Sequence, residues 1–129
     1  RFGAGDVARL LDDAGIVRHR GKIESTINNA RRACDLVDEA GSLAAFFWRF
    51  EPARGSRPRR ITREWLRTVP HTPESTALSK ELKRRGWSFV GPTTAYAFMQ
   101  AMGLVNDHQH ACSARADALR LRAALSPPA

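Results

Sequence analysis

Residues 82–95 bring together the residue types that can bind a phosphate group. Glycines at both ends of a short turn allow close approach of a nucleic-acid backbone, and N–H groups that open the second helix attract phosphate oxygens. The segment therefore predicts contacts that hold a DNA duplex without reading its sequence. An ordinary connection between two helices is the alternative. The candidate contact residues are three cations, two glycines, one apolar residue and two threonines: Lys83, Arg84, Arg85, Gly86, Val90, Gly91, Thr93 and Thr94.

A second group of cations lies near the start of the chain, in and just after a turn that opens a helix. Arg18, Arg20 and Lys22 are predicted to touch DNA phosphates. The alternative is that Arg18 or Arg20 pairs with Asp12 or Asp13, a surface contact that contributes under about 1 kcal/mol.

His108 and Cys112 are the third chemical feature, because their spacing of four residues could bring both to one metal ion. The pair alone is weak evidence, since zinc takes four ligands and an isolated cysteine often packs as a small apolar residue.

The chain that carries these residues is strongly basic, with 129 residues and a formal net charge of +8. Residues 42–92 hold +7 of that charge, against 0 for residues 1–41 and +1 for residues 93–129. Part of the excess is an arginine series in residues 54–67, for which a solubilising surface is the alternative to DNA contact. Such a charge favours an anionic partner, most often a nucleic acid.

Composition excludes several classes of protein. Hydrophobic residues make up 43% of the chain, which is enough for a packed core. The longest apolar run, residues 43–48, is far shorter than the roughly 20 residues that span a bilayer, so no membrane partner is expected. Two cysteines are too few for a disulfide framework, which favours a cytoplasmic protein. A monomer is expected. The first residue is not Met, which suggests a fragment of a longer chain.

Helical periodicity dominates the sequence and predicts an all-α fold in one domain, residues 1–129. Asp6 is the predicted cap of a first helix that Gly15 closes, and further helices are expected over residues 22–40, after Ser42, from Thr72 to residue 85, over 93–102 and over 115–125. An arginine- and proline-rich connector occupies residues 51–72, with one helical turn near its end, and residues 126–129 form a frayed tail.

The predicted core follows from the apolar residues on these helices. In the helix of residues 22–40, Ile23, Ile27, Ala30, Cys34 and Val37 recur at helical spacing and are expected to face inward. The aromatic residues of the helix after Ser42 form a core stripe. Trp87, Tyr96 and Met99 are expected in the core, with contact to DNA or to a base pocket as the alternative.

Two separated runs, residues 13–23 followed by Asn29 and Ala30, and residues 77–91 continuing through 96–108, resemble the C-terminal half of bacterial DNA-3-methyladenine glycosylase I. The resemblance implies a helix–hairpin–helix fold and base-excision repair of alkylated double-stranded DNA. It further implies that an N-terminal segment should precede Arg1.

In that family His108 and Cys112 match two ligands of a structural zinc ion, and the other two belong to the N-terminal segment. The resemblance therefore implies a zinc half-site in this chain. The same segment would supply the acidic residue and most of the aromatic residues that hold the flipped base, so the catalytic residues are unknown and the chain alone is expected to be inactive. Asp107 is a weak catalytic candidate; capping a turn or orienting His108 is the favoured alternative.

Three functions remain open at this point. The leading hypothesis is a DNA glycosylase that releases 3-methyladenine. The alternatives are a non-catalytic, basic helical module that binds DNA, and a helical interaction protein whose charge has no role in binding.

Overall fold

The computed structural model describes residues 2–128, which form helices joined by turns and loops and contain no strand. No helix in this range is both long and apolar enough to cross a bilayer. The helices are α1 (Ala4–Asp12), α2 (Arg20–Ala40), α3 (Leu43–Phe47) with a 3₁₀ turn at Trp48–Phe50, α4 (Arg63–Thr68), α5 (Pro73–Arg84), α6 (Pro92–Ala101) and α7 (Ala114–Ala124). The all-α prediction is confirmed.

The core is built around the packing of α5 against α6. Leu78 of α5 and Met99 of α6 are fully buried at its centre. Leu36 of α2 and Phe46 of α3 cover this pair, and the loop after α6 contributes two further apolar side chains, Leu104 and Val105. The hairpin between α5 and α6 is therefore fixed to the most buried part of the molecule.

Local sequence signals set several helix starts as predicted. Thr72 caps α5, and its side chain accepts from the N–H of Ser75 while Pro73 occupies the first turn. Ser42 caps α3 in the same way through the N–H of Ala45. The helical turn expected within the connector is α4. Residues 126–128 are exposed beyond α7, and the last residue of the predicted tail lies outside the described range.

The prediction for α1 is wrong at both ends. Gly3 is the N-cap, and Asp6 lies inside the first turn, where its carboxylate accepts from the Gly3 N–H at 2.9 Å. The helix stops at Asp12 because Asp13 is extended, so Gly15 does not close it. Asp13 instead accepts from the Gly15 N–H at 2.8 Å.

The predicted inward face of α2 is also wrong for most of its length. Ile23 is buried, but Ala30, Cys34 and Val37 are exposed. A helix turns by about 100° per residue, so Ser25, Asn29 and Leu36 share the opposite face. That face packs on the molecule, largely through polar side chains, which an apolar periodicity does not detect.

Candidate nucleic-acid interface

The hairpin segment, residues 82–95, is a tight turn between the last turn of α5 and the first turn of α6. Gly86 has φ of +79°, a conformation that glycine adopts without a steric penalty. Its N–H donates to the Lys83 carbonyl at 2.9 Å, and the Trp87 N–H donates to the Leu82 carbonyl at 3.1 Å. These bonds end α5 and turn the chain back toward the core.

Side chains of α2 and α5 hold the carbonyl groups of the hairpin. The Ser88 carbonyl accepts from Ser25 Oγ at 3.0 Å and from Asn29 Nδ2 at 2.9 Å. The Val90 carbonyl accepts from the buried Ser79 Oγ at 2.6 Å. These carbonyl groups therefore point into the molecule.

The N–H groups at the tip of the hairpin are left open. Those of residues 89, 90 and 91, and of Thr93 and Thr94, donate to no acceptor within residues 2–128. A Cβ atom added to Gly91 would meet no atom within 4 Å, so the surface above it is accessible. Open N–H groups at the start of α6, together with the helix dipole, favour a negatively charged oxygen.

The three cations next to this turn are not equivalent. Lys83 is exposed and forms no ion pair in the described part of the chain, and Arg84 is exposed while paired with Glu81 at 2.8 Å. Side-chain hydrogen bonds from Arg84 and Arg85 lower the pKa of Glu81 to about 2. Both Lys83 and Arg84 are therefore accessible to solvent at the end of α5.

Arg85 differs from the other two cations because its side chain is bound within the fold. Its side chain is only 15% exposed, pairs with Glu81 and with Glu39 at 2.6 Å, and lies 5.1 Å from the centre of the Phe46 ring. Two carboxylates and an aromatic ring already occupy the guanidinium group, so the geometry argues against phosphate contact and gives Arg85 a structural role between α2 and α5.

The structure brings the second group of cations next to the hairpin. The ring of His19, the N-cap of α2, lies edge-on to Phe89 with centroids 6.0 Å apart. Arg18, Arg20 and Lys22 flank this contact and are all exposed. Arg20 pairs with Glu24 at 3.4 Å, so neither Asp12 nor Asp13 is its partner.

Two aromatic residues of the hairpin, Trp87 and Phe89, differ in how much of the side chain is exposed. Trp87 packs half-buried against Phe47 beneath the turn, as predicted. Phe89 is 55% exposed and has φ of +56°, an uncommon conformation for a bulky residue. No local pattern around Phe89 predicts this conformation, because the hydrogen bonds that hold the preceding residue, Ser88, come from the distant helix α2.

Asp107 has neither of the roles that the sequence favoured. Its carboxylate accepts from Tyr96 Oη at 2.5 Å and from Gln100 Nε2 at 2.8 Å, and it also pairs with Arg57. Asn106, not Asp107, accepts from the His108 N–H. Burial and the bond to Asp107 raise the pKa of Tyr96. Asp107 thus ties the connector to α6, and Tyr96 and Met99 are core residues.

His108 and Cys112 do meet, with Nδ1 and Sγ 3.5 Å apart. Two ligands of a tetrahedral zinc ion lie about 3.6 Å apart, so the pair has a suitable separation. Within residues 2–128 no third histidine, cysteine or carboxylate joins them. His110 lies between them in the sequence, and its backbone N–H donates to the Ile61 carbonyl at 2.9 Å.

The helices and the open N–H groups of the turn define a helix–hairpin–helix domain. Residues 1–116 match the methyladenine glycosylase family, and the chain belongs to that family. It is similar to DNA-3-methyladenine glycosylase 1 of Escherichia coli K12, with 46% identity over 108 residues, which is 83% of this chain and 56% of the relative. The resemblance noted in the sequence is confirmed.

Solved structures show the same fold. A crystal structure of 3-methyladenine DNA glycosylase I is 43% identical with a TM-score of 0.73 and covers 87% of this chain and 60% of its own. A Staphylococcus aureus 3-methyladenine DNA glycosylase I, described for its recognition of 3-methyladenine, is 30% identical with a TM-score of 0.77. It covers 89% of this chain and 60% of its own. The chain thus spans less than two thirds of each of these relatives.

Proposed function

We propose that the protein containing this chain hydrolyses the N-glycosidic bond of 3-methyladenine in alkylated duplex DNA, a reaction of base-excision repair. The hairpin segment docks on the DNA backbone. One observation carries the docking role: the Ser88 and Val90 carbonyls point inward while the N–H groups of residues 89–91 remain open. Family membership and the names of the relatives support the substrate.

The chemistry of the lesion explains why backbone binding matters. 3-Methyladenine in DNA is cationic, so its glycosidic bond is already weak, and a large part of the task is to extrude the base and admit water. Extrusion needs the flanking backbone to be held. The N–H groups at Gly91, Thr93 and Thr94 and the cations Lys83 and Arg84 are suited to hold phosphates there.

A base-release assay on methylated DNA tests this function, with the complete gene product and this chain assayed in parallel. The complete product is expected to release 3-methyladenine. A complete product that releases no base from methylated DNA overturns the glycosylase proposal.

A non-catalytic DNA-binding module is the second candidate. Tyr96, Gln100 and Arg57 all donate to the carboxylate of Asp107, so the one catalytic candidate in this chain is already engaged in bonds within the fold. DNA binding without base release by the complete product would favour this alternative.

We further propose that His108 and Cys112 supply two of the four ligands of a structural zinc ion, which stabilises the folded chain when bound. Their separation supports this assignment. Emission spectroscopy after dialysis should find about one zinc ion in the complete gene product and far less in this chain. Stoichiometric zinc in this chain would contradict the half-site, and its absence from the complete product would overturn the zinc proposal.

A further inference from the structure

The side-chain amide of Asn29 makes two hydrogen bonds to one residue of the hairpin. Its Nδ2 donates to the Ser88 carbonyl at 2.9 Å, and its Oδ1 accepts from the Ser88 N–H at 3.0 Å. Ser25, one turn earlier on α2, adds a hydroxyl bond to the same carbonyl at 3.0 Å. Residue 88 is thus bound on both backbone groups by one 21-residue helix.

The geometry of the peptide bond converts these contacts into the direction of the neighbouring N–H groups. In a trans peptide unit the carbonyl of one residue and the N–H of the next point in opposite directions. Asn29 turns the Ser88 carbonyl inward and thereby turns the Phe89 N–H outward. Ser79 does the same for Val90 and Gly91 through its 2.6 Å bond.

We propose that Asn29 and Ser79 are positioning residues for DNA binding: they fix the peptide units 88–89 and 90–91 so that the Phe89 and Gly91 N–H groups face a phosphate. This inference rests on the proposed docking role of the hairpin. Neither side chain needs to touch DNA, because each acts through the backbone.

The left-handed conformation of Phe89, with φ of +56°, provides independent support. A bulky residue leaves this region readily unless its surroundings hold it there. Without Asn29, rotation of peptide unit 88–89 would relax Phe89 and turn its N–H away from the surface. The strained residue lies next to the peptide unit that Asn29 holds.

The test is a double-mutant cycle on the affinity of this chain for a short DNA duplex, measured by fluorescence anisotropy at a temperature where circular dichroism shows each variant folded. Asn29→Ala is expected to weaken binding by about five- to tenfold. In a Gly91→Val background, where the hairpin contact is already lost, the same change should cost less than about twofold. If Asn29 only stabilised the fold, Asn29→Ala would lower the affinity for DNA by the same factor in both backgrounds.

Asn106→Ala is the matched control. Asn106 is the same residue type and also binds backbone groups through both atoms of its amide, with Nδ2 donating to the Arg115 carbonyl at 3.1 Å and Oδ1 accepting from the His108 N–H at 3.2 Å, but it makes no hydrogen bond to the hairpin. Its replacement should change affinity by less than about twofold. Ser79→Ala should weaken binding like Asn29→Ala and provides a second variant if the first does not fold.

Unchanged affinity in both Asn29→Ala and Ser79→Ala, or equal losses in the two backgrounds, would overturn the inference while leaving hairpin docking intact. Absence of DNA binding by the unaltered chain would instead overturn the docking role itself.

Discussion

At the scale of single residues, Tyr96 offers a direct spectroscopic probe. It is the one tyrosine of the chain, and its hydroxyl group donates to Asp107 and accepts from Arg57 at 3.0 Å. Burial is the main cause of its raised pKa, followed by the bond to Asp107, whose negative charge opposes the tyrosinate.

Asp107→Asn should therefore lower the pKa of Tyr96 toward its ordinary value of 10.0. Ultraviolet absorbance of the single tyrosinate during an alkaline titration measures this directly. The Asp117→Asn variant serves as the control, because Asp117 is an exposed residue of α7. This variant should leave the titration of Tyr96 unchanged. An unchanged titration in Asp107→Asn would contradict the contact described between Tyr96 and Asp107.

At the scale of elements, Glu81 links α5 to α2 through Arg85, which also holds Glu39. The pKa of Glu81 is lowered from 4.5 to about 2 in the folded chain. A lowered pKa means that its stabilising effect is full above about pH 4.5 and is lost as the pH falls toward about 2.

Glu81→Gln should thus reduce the loss of stability between pH 6 and pH 3, because this variant has no carboxylate to protonate. Urea unfolding midpoints at the two pH values measure the effect. Glu74→Gln, in the first turn of the same helix and without an ion pair in the described range, should lose as much stability as the unaltered chain. Equal losses in all three proteins would contradict the role given to Glu81.

Local sequence signals predicted the ends of some helices but not the faces by which the helices pack. Thr72 followed by Pro73 predicts the start of α5 correctly, since a cap depends on a few neighbouring residues. The packed face of α2 was not predictable, because Ser25 and Asn29 bind a turn about 60 residues away and carry no apolar signal. Arg57 was missed as the partner of Asp107 for the same reason.

At the scale of the whole molecule, the structure divides the basic residues by role. Arg85 and Arg57 are bound within the fold, whereas Lys83, Arg18 and Lys22 remain exposed without an ion pair in the described part of the chain. Net charge alone therefore overstates the cations that are available for DNA. The two cation groups are far apart in the sequence, and the fold brings the turn that carries Arg18 and Arg20 next to the hairpin through the contact of His19 with Phe89.

Salt dependence of DNA binding measures the contribution of an individual cation. Lys83→Gln should lower the slope of log affinity against log salt concentration by about 1, because one phosphate contact is lost. Arg120→Gln, on α7 and paired with Asp117, is the control and should leave the slope unchanged. A slope that Lys83→Gln does not change would exclude Lys83 from the interface.

The proposed docking on DNA depends most on the open N–H groups around Gly91, and Gly91→Val tests them directly. Gly91 has φ of −62° and open space beyond its Cα, so valine fits the fold but occupies the surface that a phosphate would approach. The measurement is the dissociation constant for a DNA duplex, with thermal unfolding as the check on the fold. We expect about a tenfold loss of affinity with little change in melting temperature. Unchanged affinity in a folded Gly91→Val protein would contradict the account.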